Sequence, residues 1–226
     1  MRIAFIDHFD SFSFNIIELL REFLPGLDVW YIRADDVLAH QQLRRSPVPT
    51  VISPGPGKPE EQSMTLATIT SLIDRVPILG VCLGHQMLGL MAGGSIRHSA
   101  APMHGKLRMI ETVRPHRVLD GISACFEAAC YNSLAVFGPL AHGWSELARD
   151  RGAEIQILVR EPAKWLTIGI QFHPESHLAN TADSLIKNWL TDAMLWTRQS
   201  RQPDTALADA LVAHDLNLFG FGEALT

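Results

Sequence analysis

Short apolar runs alternate with amphipathic helical patterns through residues 1–92. The apolar runs predict strands at residues 3–6, 29–32, 50–52 and 77–81, and the apolar spacing between them predicts helices at 13–24, 64–73 and 83–92. Parallel strands need crossover connections, which are usually helical. The alternation therefore predicts an α/β fold: an open, mostly parallel central sheet with helices on both faces.

The remaining sequence predicts a β-rich middle and a closing helix. Residues 96–159 are rich in strand-like runs and turns, residues 165–172 predict a further strand, and residues 181–195 have helical spacing. Polar residues from Arg198 to Pro203 then interrupt the pattern. We expect one domain over residues 1–197 and an appendage over 198–226. The appendage could form a short helix with Leu207, Leu211 and His214 on one stripe, which would dock on this domain or on a partner; the alternative is a disordered end.

Composition and charge argue against several classes of protein. The 226 residues carry a formal net charge of −5 and no long basic run, so nucleic acid is not expected as a partner. Three cysteines are too few for a disulfide framework, and Asp7 interrupts the first apolar run too early for a signal peptide, so a cytoplasmic location is expected. Residues 76–96 lack charge, but Pro77 and several glycines favour a buried strand and helix over a membrane span.

A cysteine stands between two glycines where the fourth predicted strand meets a helix. The segment Gly80-Val81-Cys82-Leu83-Gly84 is typical of a sharp strand-to-helix turn, which lifts the central side chain out of the sheet. The helix N-terminus would stabilise a thiolate there, and the N–H of Leu83 would point to a developing oxyanion. On this segment alone, a small buried residue explains Cys82 equally well.

A histidine and a glutamate near the end of the strand predicted over residues 165–172 complement this cysteine. In His173-Pro174-Glu175 the imidazole can take the thiol proton and return it to a leaving amine, and the carboxylate can orient the ring. Ligand sites of α/β sheets lie at the carboxyl ends of strands, where both fragments fall. A surface turn is the alternative explanation for this segment.

A rigid turn follows the third predicted strand. Pro54 and Pro56 fix its backbone, and Gly55 and Gly57 allow the close approach of a ligand. The Gly57 N–H would serve as a second oxyanion donor, although a tight connecting loop explains the segment as well. Because the Gly-Lys-Ser/Thr ending of a phosphate-binding loop is absent, a nucleotide site is not expected here.

Three motifs, in this order, resemble those of the class I glutamine amidotransferases, which use a Cys-His-Glu triad. They are Val51-Ile52-Ser53-Pro54-Gly55-Pro56-Gly57, Ile78-Leu79-Gly80-Val81-Cys82-Leu83-Gly84-His85-Gln86 and Gly169-Ile170-Gln171-Phe172-His173-Pro174-Glu175-Ser176. Residues 7–15 and 103–106 resemble, more narrowly, the glutaminase subunits of anthranilate synthase and aminodeoxychorismate synthase. The resemblance covers residues 1 to about 195 and implies that family's flavodoxin-like fold.

The resemblance also implies a reaction and a set of site residues. Cys82 would attack the side-chain amide of L-glutamine and form a thioester. His173 would protonate the leaving ammonia and then activate water, while Glu175 orients His173. The N–H groups of Gly57 and Leu83 would form the oxyanion hole. The residues expected to bind glutamine are Gly55, Pro56, Gly57, Gln86, Ser133 and Leu134.

By the same resemblance, the ammonia would pass to a partner. A chorismate-binding synthase subunit would receive it within a hetero-oligomer and would hold Mg²⁺, whereas no metal and no other cofactor is expected in this chain. The pathway would be tryptophan biosynthesis if the product is anthranilate, and folate biosynthesis if it is aminodeoxychorismate.

Some residues depart from the family pattern. Cys130-Tyr131-Asn132-Ser133-Leu134 stands where the family usually has Arg-Tyr-His-Ser-Leu, and His8 stands where it often has Asn. A non-catalytic interaction module of the same fold is therefore one alternative, and a glutaminase for a different ammonia acceptor is another. The Asp10-Ser11-Phe12 motif argues against the second alternative.

Overall fold

The computed structural model describes residues 1–176 and 183–201. In these ranges it contains a sheet of 11 strands. The strands are β1 Arg2–Asp7, β2 Asp28–Arg33, β3 Thr50–Ile52, β4 Ile78–Val81, β5 Ser95–His98, β6 Lys106–Thr112, β7 Cys125–Cys130, β8 Leu134–Phe137, β9 Trp144–Asp150, β10 Ile155–Arg160 and β11 Thr167–Ile170. The α-helices are α1 Ser13–Phe23, α2 Val37–Arg45, α3 Ser63–Leu72, α4 Leu83–Met91 and α5 Asp183–Arg201, and two 3₁₀ helices span Pro59–Glu61 and Arg117–Leu119.

Five parallel strands, in the order β2-β1-β3-β4-β11, form one half of the sheet. Ile52 of β3 pairs with Gly80 of β4, and Gly80 pairs with Gly169 of β11. The carboxyl ends of these three strands therefore lie side by side at one edge. The loops that leave this edge carry the three motifs found in the sequence.

The β-rich middle of the chain extends the sheet beyond β11. Strands β10, β9, β6 and β7 follow in that order with antiparallel pairing, and β8 pairs with both β10 and β5. The predicted α/β fold with an open, largely parallel centre is confirmed. The antiparallel extension accounts for the strand-like runs predicted over residues 96–159.

Alternate residues of the central strands supply two separate cores. In β1, Ile3 and Phe5 belong to one buried cluster, whereas Ala4 and Ile6 belong to the other, as the period of two in a strand requires. Helices α1 and α5 complete the first cluster, and α2, α3 and α4 complete the second. Helices therefore cover both faces, as predicted.

The structure differs from the sequence predictions at several boundaries. Helix α2 lies where the pattern predicts no helix, because it buries only His40 and Leu43 and has few apolar residues. Helix α5 continues to Arg201, past its predicted end at residue 195. The short helix predicted near Pro203 lies outside the described residues.

The uncharged segment 76–96 forms β4, α4 and the start of β5. Its strand and most of its helix are buried in the domain. In the described part of the chain, no helix is long and apolar enough to cross a membrane.

Candidate active site

Cys82 occupies a strained turn between β4 and α4. Its φ of +51° is a left-handed value that costs on the order of 1–3 kcal/mol for a residue with a side chain. A Cβ added to Gly80 would lie 2.6 Å from the Gly84 carbonyl, and one added to Gly84 would lie 2.6 Å from the Ile52 carbonyl oxygen. Only glycines fit these two positions, so the sharp elbow predicted from the sequence is present.

His173 lies beside Cys82 and is bound to Glu175. Nδ1 of His173 donates to Oε1 of Glu175 at 2.6 Å, and both side chains are buried. Burial opposes charge on the ring, but the Cys82 sulfur and the Glu175 carboxylate outweigh it and raise the pKa of His173 to about 10. The structure thus brings the three predicted residues together, with a charged His173 ring favoured beside the Cys82 sulfur.

Two aromatic rings pack on His173. The Tyr131 ring lies 4.8 Å from the imidazole between centroids, and the Phe12 ring lies at 5.7 Å. The two rings also contact each other at 5.1 Å. They restrict the orientation of the imidazole and keep water from its faces. Phe12 belongs to the segment 7–15 that carried the narrower resemblance, but its contact with His173 was not predicted.

The turn at residues 53–57 lies against the elbow. A Cβ added to Gly55 would lie 2.4 Å from the His8 Cβ and 3.1 Å from Cδ2 of Leu83, so only glycine fits between them. Gly57 has a φ of +87° and, like Pro56, is exposed. Leu83 is the first residue of α4, so its N–H has no partner within the helix. The two predicted oxyanion donors therefore lie on the turn at 53–57 and at the start of α4, which contact each other at the carboxyl edge of the sheet.

A buried polar cluster supports the other side of this turn. The backbone N–H of His8 donates to Ser53 Oγ at 2.8 Å, and His8 Nε2 lies 3.0 Å from Thr65 Oγ1. Burial lowers the pKa of His8 to about 4, so its ring is neutral at physiological pH. The sequence showed His8 only as a departure from the family pattern, and its structural role was missed.

Two of the residues predicted to bind glutamine contact each other. Nε2 of Gln86 donates to the Leu134 carbonyl at 2.9 Å. Asn132, which replaces the usual histidine, is buried and donates from Nδ2 to the same carbonyl at 3.0 Å. Ser133 is exposed, and its carbonyl accepts from the Ser99 N–H at 2.9 Å. The loop at 132–134 is therefore held in place while the Ser133 side chain is free to meet a ligand.

Gln171 also reaches the cysteine, although no separate role was predicted for it. Its Nε2 donates to Cys82 Sγ at 3.6 Å. Ile170 pairs with Val81 in the register of β11 and β4, so the residues that follow them, Gln171 and Cys82, are neighbours. A single sequence does not reveal strand register, so this contact could not be predicted. The one signal for Gln171 in the sequence was its position, as a polar residue directly after a buried strand.

Known proteins resemble this chain over most of its length. The Glutamine amidotransferase class-I family matches residues 4–193. The pyocyanine-specific anthranilate synthase component 2 of Pseudomonas aeruginosa is 38% identical over 199 residues, which cover 87% of this chain and 94% of that protein. Anthranilate synthase component 2 of Thermus thermophilus is 34% identical over 202 residues, covering 88% and 95%.

Two further relatives extend the comparison. The bifunctional protein TrpGD of Thermotoga maritima is 36% identical over 190 residues, and this chain spans only 32% of its length. The crystal structure of a Thermoplasma acidophilum protein described as a GMP synthase subunit superposes with a TM-score of 0.75. It covers 89% of this chain and 98% of its own, and at 18% identity it supports the fold alone. The family match and the relatives together show that this chain belongs to the class I glutamine amidotransferases.

Proposed function

We propose that this chain is the glutaminase subunit of an anthranilate synthase. The observation that carries the proposal is the elbow at Cys82, with the buried His173–Glu175 pair beside it. Curated relatives that align over most of their own length and are named anthranilate synthase component 2 support the choice of partner. Their names favour anthranilate over aminodeoxychorismate as the product.

In the first half of the proposed reaction, the Cys82 thiolate attacks the side-chain amide carbon of glutamine. A C–S bond forms, and the carbonyl oxygen becomes an oxyanion that the N–H groups of Gly57 and Leu83 stabilise. The His173 imidazolium gives its Nε2 proton to the nitrogen, the C–N bond breaks, and ammonia leaves. The product on the enzyme is a glutamyl thioester.

In the second half, neutral His173 takes a proton from water, and the water oxygen attacks the thioester carbon. The C–S bond breaks, glutamate leaves, and the thiolate–imidazolium pair is restored. Throughout both halves, Glu175 holds Nδ1 and stabilises the charged ring.

The substrate would lie between the turn at 53–57 and the loop at 132–134. Gly55, Pro56 and Gly57 would contact its reacting amide, and Gln86, Ser133 and Leu134 would hold its amino-acid end. The exposure of Pro56, Gly57 and Ser133 supports this placement. Buried Gln86 would contribute through the carbonyl of Leu134, to which it already donates.

Ammonia is a nucleophile only in its uncharged form, so it must reach the acceptor without taking up a proton from bulk water. We infer that a chorismate-binding synthase subunit docks over the active-site edge and receives it in a hetero-oligomer. The Mg²⁺ for the chorismate reaction would be held by that partner, and no cofactor is proposed for this chain.

The direct test is copurification of the full chain with its native partner, followed by addition of glutamine, chorismate and Mg²⁺. Mass spectrometry should identify anthranilate as the product. Aminodeoxychorismate would keep the subunit role but change the pathway. Glutamine hydrolysis with neither product would point to another ammonia acceptor, and failure to hydrolyse glutamine in the complex would favour a non-catalytic module.

Glu175→Gln should lower kcat for glutamine by about 10²- to 10⁴-fold, because an amide can hold His173 in the wrong tautomer and cannot stabilise its charge. The carboxylate raises the pKa of His173, so its removal should lower that pKa. NMR titration of the His173 ring and steady-state kinetics of the complex would measure both effects.

The matched control is Glu161→Gln. Glu161 Oε1 lies 3.3 Å from Nε2 of His116, a different histidine on another part of the domain. This variant should leave kcat within about twofold of wild type, as for most substitutions outside a site. An equal loss in both variants would assign the effect to general destabilisation and not to the triad.

A further inference from the structure

We propose that Gln171 is a catalytic residue, whose side-chain amide donates a hydrogen bond to the Cys82 sulfur and stabilises it as a thiolate. Gln171 is fully buried, and its Nε2 lies 3.6 Å from Cys82 Sγ, within reach of an N–H···S hydrogen bond. The inference deepens the proposed glutaminase function, on which it rests, and adds a residue to the set implied by the family resemblance.

The backbone fixes where the side chain of Gln171 begins. The Cys82 N–H donates to the Ile170 carbonyl at 2.9 Å, and the Gln171 N–H donates to the Gln156 carbonyl at 2.9 Å. The backbone at Gln171 is thus fixed between β4, which precedes Cys82, and β10, independently of any contact of its side chain. A side chain at this position reaches the sulfur without needing any loop to move.

A chain of hydrogen bonds sets which end of the Gln171 amide faces Cys82. The Leu134 carbonyl can only accept, so the Gln86 amide must present Nε2 to it, at 2.9 Å. The same Nε2 donates to Gln171 Oε1 at 3.2 Å. Since its oxygen is bound there, Gln171 presents its own Nε2 to the sulfur. The Leu134 carbonyl therefore sets the orientation of the Gln86 amide, which in turn sets the orientation of the Gln171 amide.

This orientation matters because the sulfur is nearly shielded from water. Cys82 is only 8% exposed, so an anion on its sulfur loses most of its hydration and needs protein donors in exchange. His173 supplies a charge, and the Gln171 N–H supplies a donor from a second direction. A hydrogen bond to a charged group stabilises it more than one to a neutral group. Loss of the donor should therefore reduce the thiolate population.

The test compares Gln171→Met and Gln171→Glu with the same substitutions at Gln156. Methionine keeps the length but removes the donor, and an ionised glutamate also places a negative charge beside the sulfur. Gln156 is the matched control because it is equally buried and its Oε1 faces the sulfur of Cys130, at 3.9 Å, instead of that of Cys82. Alkylation of the full chain by iodoacetamide, followed by peptide mass spectrometry, separates Cys82 from the other two cysteines.

We expect Gln171→Met to slow Cys82 alkylation and to lower kcat for glutamine by about 10- to 100-fold each, the usual effect of one hydrogen bond to a charged group. KM should change by less than about threefold, and Gln171→Glu should lose more than Gln171→Met, because it adds repulsion to the lost donor. Unchanged Cys82 alkylation in folded Gln171→Met protein, or an equal loss in Gln156→Met, would overturn the proposal.

One readout does not depend on the folding of a variant, and another does not depend on the proposed glutaminase function. In the wild-type chain, alkylation of Cys82 should shift the NMR signal of the Gln171 side-chain amide, and an unmoved signal would contradict the contact. The alkylation rates do not require glutamine turnover. A wild-type complex that hydrolyses no glutamine would therefore reject the proposed function while the N–H···S contact is still tested.

Discussion

Replacing Cys82 with Ser should abolish glutamine-dependent synthesis by the complex while ammonia-dependent synthesis by the partner continues. Serine keeps the same Cβ, so the strained backbone at φ +51° and the packing of the elbow are retained. The hydroxyl is a far weaker acid than the thiol, and the His173–Glu175 pair cannot hold it as an anion. Loss of the nucleophile should lower kcat for glutamine by about 10³-fold or more.

The measurement is product formation with either glutamine or ammonium chloride as nitrogen donor, at a pH where free ammonia is present. Cys125→Ser is the matched control, because Cys125 is a free, exposed cysteine on β7. It should support both reactions at wild-type rates. Equal loss of both reactions in Cys82→Ser would instead mean that the residue stabilises the complex and supplies no nucleophile.

The same variant separates the catalytic proposal from the alternative of a non-catalytic module. A glutamine-like electrophile should label Cys82 in the wild-type chain and leave the Cys82→Ser protein unlabelled. In the sequence, the alternative of a non-catalytic module rested only on the segment around Asn132, which departs from the family pattern. In the structure, Asn132 still donates to Leu134 and holds the loop, so the lost histidine has not disorganised the site.

The parts of the site that could be predicted from the sequence are those that local chemistry determines. Glycines flank Cys82 at positions 80 and 84, and this pattern, which is typical of a sharp strand-to-helix turn, lies within five residues of sequence. The pairing of His173 with Glu175 spans only two residues and is equally local. The alternation of strands and helices likewise depends on spacing within each segment.

The contacts that could not be predicted depend on strand order and register. Gln171 touches Cys82 because β11 lies next to β4 although they are far apart in the chain. Tyr131 reaches His173 through the antiparallel half of the sheet, whose strand order does not follow chain order. Helix α2 was not predicted because it buries only His40 and Leu43, although the Asp36 side chain caps its start by accepting from the Ala39 N–H at 3.0 Å.

The largest loss of stability is expected at a buried cation that no sequence motif revealed. Arg108 on β6 is only 4% exposed and forms ion pairs with Asp150 and with Glu154. It also donates to the Ala101 carbonyl at 2.7 Å. Arg108→Met should lower the free energy of unfolding by about 3–5 kcal/mol, because it leaves the buried carboxylate of Glu154 and the nearly buried one of Asp150 without their cation.

Chemical denaturation of the full chain would measure this loss, and the melting temperature should fall by about 2–4 °C for each kcal/mol. Arg21→Met is the control, since Arg21 pairs with Glu18 on the surface, where both side chains are about half or more exposed. It should cost less than about 1 kcal/mol. A similar small cost for Arg108→Met would mean that the carboxylates find other partners or water when the cation is removed.

A triple variant tells whether the cost comes from the unpaired carboxylates or from the loss of arginine itself. Arg108→Met combined with Asp150→Asn and Glu154→Gln removes all three charges, and a neutral replacement of a buried ion cluster is often nearly as stable as the original. We therefore expect most of the stability to return. Glu154 also accepts from Ser99 Oγ at 2.5 Å, and the Ser99 N–H holds the Ser133 carbonyl. If the ion cluster also positions the loop at 132–134 for glutamine, the triple variant should keep its stability and its kcat while KM for glutamine rises. An unchanged KM would mean that the cluster has only a structural role.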